Sequence, residues 1–390
     1  MKLIQTERFF SSLMIPVFIG LFLLFSLISI SISQIFLGLA LFGWIVFQIK
    51  EKRKAKLPLF FWFLIAYIVL SLVSSILSRN PGISFVNSRD LLLFLVVPIV
   101  YFGFSRVGSL KQTNRVLLAS FFISALYSLF YFFFKAVPGE RITGFMGHWM
   151  TQAGLLLLFC TMALSLFFFC RNKWRFAWGA GFLLALPLIV LTLTRNSWIG
   201  LFVAIVAILI LYKPKTLFIF PVAVVLFFLV SPKPIKDRAL SIFDLKNTTN
   251  QQRFEYWQAG IKIIKDYPLQ GTGPDMVDMV FQNPKYGLSQ VARSNVHLHN
   301  NFLQIAAERG LFTLAAWIGF LVVLFVSLIR LLKQRDPAVF PYAAAALAAL
   351  TGLVSAGLFE YNFGDSEVVV LFLYIISVPF ALERIQKHGD

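Results

Sequence analysis

The stretch Leu13–Ile32, LMIPVFIGLFLLFSLISISI, carries no charged side chain. As a helix it rises about 1.5 Å per residue and so spans roughly 30 Å, the thickness of a bilayer's hydrocarbon core. It lacks a small-residue cleavage site, and a second apolar run follows at once. The expectation is a retained first span and no cleaved leader. Runs of the same kind recur at roughly 34–49, 57–77, 90–105, 115–135, 150–170, 174–194, 197–212, 215–231, 311–332, 338–358 and 366–382. Of the 390 residues, 59% are hydrophobic and 13% are charged, well below the charge of a soluble domain. The fold class read from this pattern is all-α, a polytopic membrane protein of about 12 spans. It is read as one integral membrane domain over 1–390.

The formal charge of +18 invites a nucleic-acid reading, but its placement argues against one. The basic residues concentrate in the loops 50–56, 105–115, 170–175, 212–215 and 330–336 and near the two ends of the chain. The alternate short loops hold only Arg79, Arg89, Lys135, Arg141 and Arg195. The positive-inside rule then puts both termini in the cytoplasm. Cys160 and Cys170 fall on one predicted span, so no disulfide framework is implied.

Between predicted spans 9 and 10 lies a long hydrophilic segment, 231–310, assigned to the outer, periplasmic side. A connection of that length is usually functional. Within it, NTTNQQRFEYWQAGIKIIKDYP contains two overlapping capping boxes, Thr248–Gln251 and Thr249–Gln252. Phe254, Trp257, Ile261 and Ile264 share one helical face, which predicts an amphipathic helix on the membrane surface, ended by Pro268.

Several residues could carry chemistry. Arg195, in LTLTRNSWIGL, sits at the edge of a span, where a charge is costly and marks either a snorkelling side chain or an anion site. Arg253 falls in the first turn of the surface helix, beside free backbone N–H groups that favour phosphate, or is simply solvated. His299 immediately precedes a helix predicted at 300–309. A neutral histidine suits proton abstraction near pH 7, although a capping role fits as well. His297 is secondary. Arg141 and His148 occupy another outer loop and either line the same cavity or face solvent. Asp275 and Asp278 suit a helix N-terminus better than a metal. Glu360, Asp365 and Glu367 are read only as ion-pair partners.

These residues, taken together, resemble a family. HNNFLQIAAERGLFT fits the pattern of the O-antigen ligases at His299, Asn300, Gly310 and Thr313. QQRFEYWQAGIKIIKDYPLQGTGP is similar to the family's stretch before that histidine, and TLTRNSWIGL to its span-boundary arginine motif. At His148 the family commonly has asparagine, so no role is carried there.

The resemblance implies a membrane-bound glycosyltransferase. Its donor would be a glycan on undecaprenyl pyrophosphate and its acceptor a sugar hydroxyl of lipid A–core, at the periplasmic face of the bacterial inner membrane. His299 would be the catalytic base. Arg195 and Arg253 would bind pyrophosphate, with Arg141, His297 and Asn300 as secondary candidates. Neither a metal nor another cofactor is expected, nor is nucleic acid a partner. Within the same superfamily the alternatives are an O-antigen or exopolysaccharide polymerase and a protein O-oligosaccharyltransferase. From a different class, a lipid-linked-sugar flippase also suits twelve spans.

Overall fold

The computed structural model describes residues 2–51, 56–137 and 139–388. In chain order the helices are α1 (Lys2–Phe25), α2 (Ile30–Glu51), α3 (Leu59–Ile76), α4 (Pro81–Asn87), α5 (Val96–Gly103), α6 (Val107–Phe134), α7 (Trp149–Phe169) and α8 (Trp174–Leu191). They continue with α9 (Arg195–Tyr212), α10 (Phe220–Val230), α11 (Lys233–Leu240), α12 (Thr248–Asp266), α13 (Val277–Phe281), α14 (Asn301–Gln334), α15 (Phe340–Ala356) and α16 (Ser366–His388). Short 3₁₀ turns join some of them, and no strand occurs among the described residues. The chain is an all-α, multi-pass membrane protein.

Among the described residues, nine helical segments are long and apolar enough to cross a membrane, with α4 and α5 counting as one, Pro81–Gly103. Two further apolar helical stretches, Pro214–Phe227 and Phe340–Ala356, are shorter than a full span, and Met14–Phe25 is the apolar C-terminal part of the 24-residue α1. The sequence pattern treats all twelve alike, because hydropathy registers apolar length and not where a helix breaks. Positions 52–55 of the basic loop at 50–56 lie outside the described residues.

Helices α7 and α16 are buried on nearly every side, and α15 packs between α7, α9 and α16. The alanine run of α15 permits close approach: Ala343 through Ala346, Ala348 and Ala349 are all essentially inaccessible. At the α9–α15 crossing, a Cβ on Gly200 would lie 2.6 Å from the Gly352 carbonyl oxygen. Small residues at such a crossing let two membrane helices touch along their backbones. The contact sets the start of α9, and thus Arg195, beside the end of α15.

The segment 231–300 folds over this end of the bundle around its own small core. Tyr256, Ala259 and Ile263 of α12 pack against Val277, Val280, Phe281, Tyr286 and Leu298. Of the predicted face, Trp257 and Ile264 pack against the edge of that core, whereas Phe254 and Ile261 are 44% and 48% exposed and stay outside it. The helix is also capped differently, by Asn247, whose side chain accepts from the Thr249 N–H.

One joint locks the segment to the bundle. Helix α14 breaks at Gly310 (φ 82°, ψ 168°), a conformation open to glycine alone. The break frees carbonyls that the turn at 268–273 satisfies. Thr272 N–H donates to Ala307 O (2.9 Å), Gly273 N–H to Glu308 O (2.8 Å), and Leu311 N–H returns to Pro268 O (2.8 Å). From α3, the Ser74 hydroxyl reaches Gln270 O (2.6 Å) and Glu308 O (2.9 Å). A Cβ on Gly310 would overlap the Leu269 carbonyl. The stretch Pro268–Gly273 and Gly310 are two halves of one hydrogen-bonded contact.

Candidate active site

Two consecutive asparagines position His299. Asn300 caps α14, its side-chain oxygen accepting from Leu303 N–H (3.0 Å) and its amide donating to Leu358 O (2.9 Å). Asn301 donates from its backbone to Gly357 O (2.8 Å) and from its side chain to Asn362 Oδ1 (2.7 Å), and accepts from Phe363 N–H (3.1 Å). The loop between α15 and α16 is thereby clamped against the histidine. His299 itself has a left-handed backbone (φ 49°), costly for a residue with a Cβ. Its flanks hold it there: Leu298 N–H donates to Gln304 Oε1 (2.6 Å), and the two asparagines fix the other side.

The clamp delivers Glu360. Its carboxylate oxygens both lie 3.0 Å from His299 Nδ1, and the Glu360 side chain is only 6% exposed. Burial acts to raise the Glu360 carboxyl, but the charges and hydrogen bond of His299, with His297 and Arg253, outweigh it and hold it at about 2. An ionised carboxylate only accepts hydrogen bonds, so Nδ1 carries a proton and a neutral His299 presents Nε2 as its basic atom. His297 lies edge-on to His299, with ring centroids 4.3 Å apart. Its Nε2 is 3.7 Å from Glu360, and burial pushes it down to about 4, with His299 adding and Glu360 opposing. His297 is therefore neutral at pH 7 and not directly hydrogen-bonded to the carboxylate.

Arg195 opens α9 and is 3% exposed. Its Nη1 donates to Ser241 O (2.7 Å) and Oγ (3.0 Å), whereas its Nη2 is buried without a partner. Arg253 Nε is likewise buried and unpartnered. Both guanidiniums line a single cavity of about 100 Å³, with Asn250, Trp257 and Phe359. Arg238, which sequence reasoning missed, donates from Nε to Leu193 O (3.0 Å). Burial, then the charges of Arg141 and Arg253, lower its pKa. Arg141 stacks on Trp149 at 4.9 Å. None of these four arginines forms an ion pair among the described residues. Clustered cations with orphaned N–H groups fit an anion. Glu360 connects the two clusters, since Arg253 feels its charge.

An apolar groove of about 420 Å³ adjoins the arginine cavity. Leu186, Trp198, Phe202, Phe220 and Phe227 line it, and Ile199 and Ile242 belong to both.

The remaining candidates fall elsewhere. Asp275 accepts from Asn87 (2.7 Å) and lines a different cavity, and Asp278 bonds Met279 N–H (2.6 Å) inside α13. Asn300 spends its side chain on capping. The group best arranged to hold a cation is not the aspartate pair but His297, His299 and Glu360, whose ligand atoms all lie within 4.8 Å of one another. The sequence marks Glu360 and Arg238 by no local pattern; proximity of a carboxylate to a histidine 61 residues away is a property of the fold.

Residues 180–318 match the family model described as O-antigen ligase. That stretch is similar to the O-antigen ligases. The matched region contains Arg195, Arg253 and His299 and stops short of Glu360. A curated protein of Haemophilus influenzae, described as an uncharacterized protein, is 26% identical over 286 residues, covering 67% of this chain and 69% of that one. The similarity supports a function within the ligase and polymerase superfamily, in a protein embedded in the membrane.

Proposed function

We propose that the protein transfers a glycan from a polyprenyl pyrophosphate, undecaprenyl pyrophosphate in bacteria, to a sugar hydroxyl of lipid A–core. The observation that carries the reading is the adjacency of three environments. An apolar groove suits the polyprenyl tail, the arginine cavity suits the diphosphate, and the His299–Glu360 pair supplies a base at their edge. Arg195 and Arg253 offset the charge that grows on the departing diphosphate, so no general acid is needed. His299 Nε2 takes the acceptor's proton as its oxygen attacks the anomeric carbon, and Glu360 stabilises the imidazolium that forms. Attack opposite the leaving group inverts the anomeric centre. The cationic side chains fill the role a divalent ion would otherwise play, and the reaction is metal-independent. Segment 231–310 contributes Arg253 and His299, and the span ends contribute Arg195 and Glu360. The site faces the periplasm, with both termini in the cytoplasm of the inner membrane.

The test is reconstitution in lipid with a polyprenyl pyrophosphate glycan and separate acceptors: lipid A–core, a second lipid-linked glycan, and protein. Glycan on lipid A–core, lost in His299→Ala at normal membrane insertion and kept with chelator present, is the expected result. Full activity in His299→Ala would overturn the base assignment. Transfer only to a second glycan or to protein would reassign the acceptor. Loss on chelation, restored by a divalent ion, would turn the His297–His299–Glu360 group into a metal centre.

A further inference from the structure

A second cavity, of about 290 Å³, borders the arginine cavity and shares no lining residue with the apolar groove. Asn196 lines both. Its wall includes Asn196 and Ser197 from α9, His297 and Glu360 from the histidine cluster, and Thr151 and Asp365 from the starts of α7 and α16. Asn196 and Ser197 are 5% and 3% exposed, yet neither side chain has a hydrogen-bond partner among the described residues. His297 Nδ1 is also buried and unpartnered. Buried polar groups are nearly always paired, so the free His297 Nδ1, with the uncommitted side chains of Asn196 and Ser197 on the same wall, points to a ligand that supplies the missing partner.

The chemistry of the wall says which ligand. No lysine or arginine lines it. Thr151 donates to Asp365 Oδ2 (2.7 Å), and burial with the nearby Glu367 raises Asp365 well above the carboxylate range. A wall of hydroxyls, amides, neutral imidazole and carboxyl groups repels phosphate and suits the alternating donors and acceptors of a sugar ring.

We propose that this cavity binds the first sugar ring of the donor, a neutral pyranose held through its ring substituents by Asn196 and Ser197. The inference rests on the diphosphate reading of the arginine cavity. A glycosyl diphosphate places its first ring directly next to the phosphate, so the ring must enter a compartment bordering that cavity. The apolar groove cannot hydrogen-bond it; the polar cavity can. Tail, diphosphate and ring then lie in order along α8–α11, the first turn of α9, and the α15–α16 loop.

The experiment measures binding to the full chain in nanodiscs with two probes: polyprenyl diphosphate without sugar, and the same lipid carrying one neutral pyranose. Asn196→Ala should weaken the sugar-bearing probe about fivefold more than the bare diphosphate, the worth of one hydrogen bond to the ring. Ser197→Val, which removes a hydroxyl and fills space, should do the same without touching Asn196. Arg253→Ala should weaken both probes. Equal affinity of both variants for the sugar-bearing probe, or a change confined to the acceptor's KM, would overturn the proposal. A wild-type protein that ignores the bare diphosphate would instead overturn the diphosphate reading beneath it.

Discussion

Replacing Glu360 by glutamine removes one charge and leaves the shape of the site. In the native protein both carboxylate oxygens sit 3.0 Å from His299 Nδ1 in a nearly dry setting. A hydrogen bond to a charged group contributes about 1.5–3 kcal/mol, and its worth grows as the imidazole becomes an imidazolium in the transition state. At about 1.4 kcal/mol per decade of rate, kcat should fall roughly ten- to 150-fold. The donor KM should not rise. Glu360 faces Arg253 as well, so neutralising it leaves that guanidinium freer to bind a diphosphate. The assay is steady-state transfer in proteoliposomes with donor and acceptor varied separately, and with thermal unfolding as the control for folding. Unchanged kcat in a folded variant would refute the argument that the carboxylate supports the base. A raised donor KM at constant kcat would instead give Glu360 a role in holding the arginine cavity.

Gly310→Ala should destabilise the protein by about 3 kcal/mol or more, because its backbone conformation excludes a side chain and a Cβ would overlap the Leu269 carbonyl; a thermal midpoint within a degree or two of wild type would show that α14 can close the break. A pH series isolates His297. Its folded pKa of about 4 lies below the ordinary 6.5, so between those values the unfolded chain binds a proton that the native protein refuses. The His297 contribution should therefore fall as pH drops from 6.5 toward 4.5, so His297→Asn should gain stability relative to wild type across that interval. Glu360 does not interfere there: its folded value of about 2 means its contribution is intact above 4.5 and is lost only as pH falls below that. An identical slope in the variant would mean that His297 is not the group responsible.

Apolar length, loop charge and three short motifs were readable in one dimension, because each depends on neighbours along the chain. They sufficed for the all-α membrane class and for selecting Arg195, Arg253 and His299 as residues worth watching. The same local logic did not find the second stripe of α12, Tyr256, Ala259 and Ile263, which is the one that enters the protein core. Periodicity cannot decide which stripe meets a core formed by residues up to 50 positions away. Nor could it say why Gly310 follows His299 at its distance: the reason is a carbonyl at Leu269 that arrives from another segment.

The sequence by itself determined that this chain lives in a bilayer, since burying apolar runs of span length needs no tertiary information. Only the tertiary structure decided that Glu360 meets His299, that Arg238 and Arg141 join the other two arginines, and that Asn196 divides a cationic cavity from a polar one. Those relations depend on helix crossings such as Gly200 on Gly352 and on clamps such as Asn301 on the α15–α16 loop. Electrostatic and hydrogen-bonding chemistry acts over a few ångströms of space, and separation along the chain carries no measure of that distance.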